Sequence, residues 1–299
     1  MAATPLFALP VARHRVNGVE IAARMAGSGP ALLLLHGHPQ THAMWHKLWP
    51  ALTRHFSCVA MDLRGYGDSG IPADEPAGHA AFSKRELARD AVALMRELGH
   101  ERFHVLAHDR GARVAHRLAL DHPQRIERMM LLDIAPTLDM YEGTTRGFAQ
   151  AYYHWFLLTQ PAPLPERLIG ADPAFYVRSI MGGRHAGLAP FTAEALAEYE
   201  RCARHAHWPH AICEDYRAAA AIDLEHDRAD RARGLRIACP LRVLWGGKGV
   251  VGRYFDVLGL WRPQAEQVDG RPLDCGHYIA EEAPEVLWEE VRRFWGIAG

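Results

Sequence analysis

No stretch of this 299-residue chain is apolar for long enough to cross a membrane as a helix. The longest clean run, Ala31–Leu35, falls far short of the ~20 residues needed. Cysteine is scarce as well. Cys58, Cys202, Cys213, Cys239 and Cys275 are odd in number and no two are spaced C-x-x-C. That argues against a disulfide framework and a zinc ribbon, and fits reduced thiols. Net charge is nearly absent: 34 Lys+Arg against 35 Asp+Glu leaves −1. Nucleic acid is not an expected partner, because phosphate backbones are held by uncompensated Lys and Arg. The opening MAATPLFALPVARHR has no basic residue ahead of its apolar stretch, which Pro5 and Pro10 interrupt. It does not read as a signal peptide, so a cytoplasmic, membrane-free protein is expected. Internal repeats and low-complexity tracts are also lacking.

Hydrophobic residues make up 49% and charged residues 23%, which excludes disorder over most of the chain. Histidine is plentiful, with His36, His38 and His42 close together and likewise His205, His207 and His210. Neither group has a carboxylate at ligand-like spacing, so both read as polar or core histidines and no metal is expected. Arg13–Val16, the turn Asn17-Gly18 and Val19–Arg24 predict a hairpin. Short apolar runs follow at Ala31–Leu35, Cys58–Met61, Phe103–Ala107, Met129–Leu132 and Leu241–Trp245, as in parallel strands buried on both faces. Helical patterns at Lys84–Leu98, Ala112–Leu120 and Pro284–Phe294 alternate with them, so the fold class is α/β with a mostly parallel sheet. The alternation stops near Pro136 and resumes near Ile237. The stretch between, 136–234, is rich in Ala, Arg, His and aromatics. It predicts a helical cap over a core made of 1–135 and 235–299, closing on the strand ends where ligands bind.

The chemistry concentrates in FHVLAHDRGARVAHRLAL. A strand runs into AHDRG and then a helix, the setting of a nucleophile elbow with Asp109 in the slot where many hydrolases hold Ser. A carboxylate there displaces a leaving group from saturated carbon and forms an alkyl ester, not an acyl intermediate. The competing reading makes Asp109 a helix N-cap. Three features favour the elbow. LLLLHGHPQT places the backbone N–H of His38, with that of Arg110, as an oxyanion hole. DCGHYIAEEAP places His277 where the general base falls in chain order. LLDIAPT offers Asp133 to orient His277, since WGGKGVVG carries no acid; otherwise Asp133 is a turn or cap residue. Arg110 and Arg113, three apart on a helix, suit the carboxylate of an anionic substrate. The string GYGDSG matches G-x-G-x-x-G, and its GDSG suggests a nucleophile at Ser69. No strand-to-helix bend surrounds it, so it reads as a turn.

With these residues in place, the sequence resembles the fluoroacetate dehalogenases of the α/β-hydrolase fold over nearly its whole length. The carriers are HGHPQTHAMWH, DLRGYGDS, AHDRGARVAHRLALDHP, LLDIAPT, YYHWFLLTQPAPLPE, CEDYRAAAAIDLEHD and DCGHYIAEEAP. The resemblance implies Asp109 as nucleophile, His277 as base, Asp133 as its partner, and Arg110 and Arg113 as carboxylate ligands. It also implies His154, Trp155 and Tyr216 as a halide pocket, without which these three would read as aromatic core of the cap. It implies hydrolysis of short 2-haloacids, no cofactor, and a homodimer. Ala107 stands where the family usually has Gly, and His38 where Phe is common. Two other functions compete. An epoxide hydrolase shares the Asp–His–Asp set and would use Tyr216 with Tyr152 or Tyr153 to protonate the epoxide. A binding protein would keep the fold without turnover.

Overall fold

The structure, a computed structural model, describes residues 4–297. Eight strands form one sheet: β1 (Ala12–Val16), β2 (Val19–Ala26), β3 (Ala31–Leu35), β4 (Ser57–Met61), β5 (Phe103–His108), β6 (Ile126–Leu132), β7 (Leu241–Gly246) and β8 (Val268–Leu273). Their order is β1-β2-β4-β3-β5-β6-β7-β8. β1 and β2 form the expected hairpin, with Val16 opposite Val19 and both Asn17 and Gly18 at positive φ, the backbone that a tight two-residue turn needs. β2 meets β4 antiparallel, and every pairing from β4 to β8 is parallel. Leu32–Leu35 of β3 have no exposed surface, as a strand covered on both faces requires.

The sequence reading missed β8. VDGRPL alternates poorly, and Gly270 and Pro272 are depleted in strand interiors. The segment is an edge strand, bonded on one side only, where proline is tolerated. The helix expected from Ala112 starts earlier, at Asp109, and runs to Asp121. The helix Lys84–Glu97 begins at Ser83, whose side chain accepts the Glu86 N–H. Between β6 and β7 lies a run of helices from Thr137–Glu142 to Ile222–Ala232, and its aromatic side chains pack over the C-terminal ends of the parallel strands. Among the described residues, no helix is long and apolar enough to cross a membrane. The five cysteines are unpaired and buried.

Candidate active site

Four strand ends bring the proposed reacting groups together. β5 is buried along its length and turns at Asp109, whose φ of 45° is left-handed. For a residue with a side chain this conformation costs on the order of 1–3 kcal/mol and persists only where its surroundings hold it. Two glycines make room for the bend. A Cβ on Gly37 would come within 2.5 Å of the Asp109 Cβ, and one on Gly111 within 2.4 Å of the His36 carbonyl oxygen. The H-G and D-R-G spacings therefore reflect a close backbone crossing. The helix N-cap position belongs to His108, which sets aside the capping role for Asp109. The Asp109 Oδ1 accepts the His38 backbone N–H at 2.9 Å. The Arg110 N–H, in the first turn of the helix, has no partner available within that helix. Burial alone would raise the Asp109 pKa. His277, His108, Arg113 and Arg110 more than reverse this and hold the carboxylate ionised.

Asp133, at the end of β6, also has left-handed backbone, with φ 52°. Its Oδ2 lies 2.5 Å from His277 Nδ1, and its Oδ1 accepts the Gly246 N–H at 2.8 Å. The end of β7, whose following loop carries no acid, thus supplies an N–H that fixes the acid of the neighbouring strand. With Nδ1 bonded to Asp133, the His277 Nε2 is left as the basic nitrogen. His108 Nε2 donates to the His277 carbonyl oxygen at 2.9 Å and anchors the loop that carries it.

The two arginines differ. Arg110 Nε donates to Asp215 Oδ2 at 2.6 Å and its Nη2 to the Asp215 carbonyl at 2.8 Å, while the guanidinium lies 4.0 Å over the Tyr216 ring. Only Nη1 is left buried without a partner. Asp215 also receives the Lys84 ammonium and the Tyr66 hydroxyl. Burial would raise the Asp215 pKa, but Arg110 and Lys84 pull it down to about 2. Arg113 bonds neutral groups instead: Thr137 Oγ1 at 2.9 Å, the Ala135 carbonyl at 3.3 Å and Met140 Sδ at 3.2 Å. It lies 4.8 Å over Trp155, and its Nε has no partner. The sequence reading gave the pair one shared role. It missed Asp215, although that residue directly precedes Tyr216 in CEDYR.

From above come His154 and Trp155, on the short helix Tyr153–Leu157, and Tyr216, on Trp208–Ala220. All three are buried, with ring centroids 5.8 Å apart for His154–Tyr216 and 6.4 Å for Trp155–Tyr216. His154 Nδ1, Trp155 Nε1 and the nearby Tyr152 hydroxyl have no partner. Burial holds His154 well below the ordinary imidazole range, hence neutral. The His38 ring stacks on His154 at 6.0 Å and lies 5.4 Å from Tyr216, with Nε2 3.1 Å from the Tyr176 hydroxyl. Burial lowers its pKa to about 3, so it is a neutral wall of the pocket. Tyr153, weighed above as an epoxide acid, is 49% exposed, whereas Tyr152 is buried in this cluster.

Elsewhere, Ser69 accepts the Ala22 N–H and donates to the Asp62 carbonyl, the part of a turn residue. The His205 group does acquire a carboxylate. Asp68, distant in sequence, gathers with Cys202 and His205, but Arg201 already binds both Asp68 oxygens, at 3.1 and 2.7 Å.

The α/β-hydrolase fold family matches residues 30–284. A fluoroacetate dehalogenase from Burkholderia sp is 42% identical over 280 residues, covering 93% of this chain and 91% of that one. A soluble epoxide hydrolase from Corynebacterium sp. (strain C12) is 31% identical over 285 residues, covering 94% and 95%. Among solved structures, ALR0039 of Nostoc sp PCC 7120 superposes with a TM-score of 0.94 at 51% identity, covering 98% of this chain and 100% of that one.

Proposed function

The chain belongs to the α/β-hydrolase family, and from that premise we propose that it hydrolyses short 2-haloacids, fluoroacetate or a close analogue, through an ester on Asp109. One observation carries the reading. Beside an ionised, buried carboxylate lie two guanidinium groups, each with one buried nitrogen whose donors nothing in the protein satisfies. Such donors are costly to leave open and ask for an anion. Arg113 Nε and Arg110 Nη1 would hold the substrate carboxylate and present its neighbouring carbon to Asp109.

Asp109 attacks that carbon from behind. A carbon–oxygen bond forms as the carbon–halogen bond breaks, and the halide leaves with the bonding pair toward His154, Trp155 and Tyr216. Fluoride leaves poorly and needs several donors in a dry site. His277 Nε2, with Nδ1 held by Asp133, then takes a proton from water as the hydroxyl adds to the Asp109 ester carbon. The backbone N–H groups of His38 and Arg110 receive the oxyanion. Its collapse expels the product alkoxide, which takes a proton from His277. One water is consumed, and a hydroxyacid, a halide and a proton are released.

Halide release from fluoro-, chloro- and bromoacetate tests this, beside diol formation from styrene oxide. Haloacids are expected to turn over. Freshly prepared Asp109→Asn should release no halide, and His277→Asn should accumulate the ester as a mass gain on the Asp109 peptide. Sustained release by Asp109→Asn, with amide reversion excluded, sinks the mechanism. The second reading, an epoxide hydrolase, draws on the Corynebacterium similarity and the open hydroxyl of Tyr152. Diol formation without halide release would establish it instead.

A further inference from the structure

A cavity of about 300 Å³ opens onto His277 from outside. Its charged and polar lining is basic: Arg184, His185, Lys248, Arg253 and His277 itself, with no carboxylate among the lining residues. Lys248 is partly neutralised by Asp274 at 2.8 Å, but Arg184 has no such partner. It follows Gly183, the C-cap of the helix Pro173–Gly182, and its guanidinium lies 4.4 Å over the ring of Tyr152. Nη1 donates to the Ala151 carbonyl oxygen at 3.2 Å, and Nε is buried with no partner. Among the described residues, no carboxylate lies within ion-pair distance of it. Tyr152 in turn lies 6.4 Å, ring to ring, from His277. Arg184 therefore lines the same cavity as His277, as a guanidinium without a counter-ion.

We propose that Arg184 is a third anion-receiving group, which draws small carboxylates through this cavity toward His277 and Asp109 and sets a preference for anionic over neutral substrates. This rests on the haloacid reading above. A cleft lined by one sign of charge concentrates oppositely charged ligands and raises their rate of capture. The effect belongs to capture, not to the bond-breaking step, so it appears in kcat/KM. Arg110 and Arg113 hold the substrate once it is bound; Arg184 acts before that.

The test compares the whole protein with Arg184→Gln and Arg184→Lys, following halide release from chloroacetate at low salt and at roughly 0.15 M ionic strength. In Arg184→Gln, kcat/KM at low salt should fall about tenfold while kcat falls less than twofold, and the decline of kcat/KM with salt should flatten. Arg184→Lys, which keeps the charge, should recover most of the loss. Equal falls in kcat and kcat/KM with the salt dependence intact would make Arg184 a packing residue on Tyr152 and overturn the proposal, as would no change at all. If the wild-type protein releases no halide, the haloacid reading fails separately. Acetate binding, followed by the fluorescence of the pocket tryptophans, then decides: affinity weakened about tenfold by Arg184→Gln upholds the anion site, and unchanged affinity overturns it.

Discussion

The three groups proposed to react at the strand ends and the aromatic groups above them differ in how their polar atoms are satisfied. Below, Asp109, Asp133 and His277 are each tied by hydrogen bonds to the protein, and Asp133 uses both oxygens. Above, His154 Nδ1, Trp155 Nε1 and the Tyr152 hydroxyl are buried and open. An unmade bond of that kind costs about 1–3 kcal/mol. The fold leaves such atoms open where a leaving charge would arrive, and at Arg110 Nη1 and Arg113 Nε where an anion would be held, while the three groups proposed to react are tied. Groups that make and break covalent bonds need their orientation settled in advance, whereas a charge receptor must be unfilled until its ligand comes.

Substitutions can break this contrast. After Asp109→Asn, which should release no halide, the largest effect is expected from Asp133→Asn, which spares the shape below but lets His277 adopt the wrong tautomer. Its kcat should fall about 10³–10⁴-fold with unfolding stability nearly intact, measured by halide release beside thermal melting. Next is Trp155→Phe, which removes one open N–H above. A loss of about 10²-fold is expected for fluoroacetate, and clearly less for bromoacetate, whose leaving group needs less help; equal losses would place Trp155 in packing alone. Asp215→Asn should loosen Arg110 and raise KM about tenfold, with a smaller change in kcat.

The smallest effect on rate is expected at the seam between the two regions. Glu281, near His277, accepts the Tyr199 hydroxyl from above at 2.5 Å and faces Gln40 below. Burial raises its pKa to about 7, against the opposing pull of Tyr199 and Lys47. Between the ordinary carboxylate value and about 7, the folded protein keeps a proton that the unfolded chain has lost. Stability contributed by this group is therefore complete at low pH and is lost as pH rises through that window, by on the order of 3 kcal/mol. Urea unfolding from pH 5 to 8 should show this slope, and Glu281→Gln should flatten it without touching turnover.

The sequence carried the parts of the fold that local rules govern. The buried strands show as apolar runs, the hairpin as Asn17-Gly18, and the elbow as a strand, a small residue, Asp109 and Gly111. It concealed what depends on partners far along the chain. β8 is recognisable only by its neighbour β7, because an edge strand needs neither alternation nor freedom from proline. Arg110 looks like Arg113 until Asp215, 105 residues on, takes two of its donors. Tyr152 and Tyr153 are adjacent, and only the placing of their short helix decides which is buried. The Asp68–His205 contact spans 137 residues and leaves no local trace.

The single hydrogen bond from the His38 amide makes the two Asp109 oxygens inequivalent. Under the proposed chemistry, the untethered atom forms the ester and departs inside the product, and solvent replaces it. The tethered atom stays through every cycle. In isotopically heavy water, the first product molecule would therefore carry light oxygen taken from the protein. The Asp109 peptide would then saturate at one heavy atom however many cycles pass, and a second would report rotation of the carboxylate between turnovers.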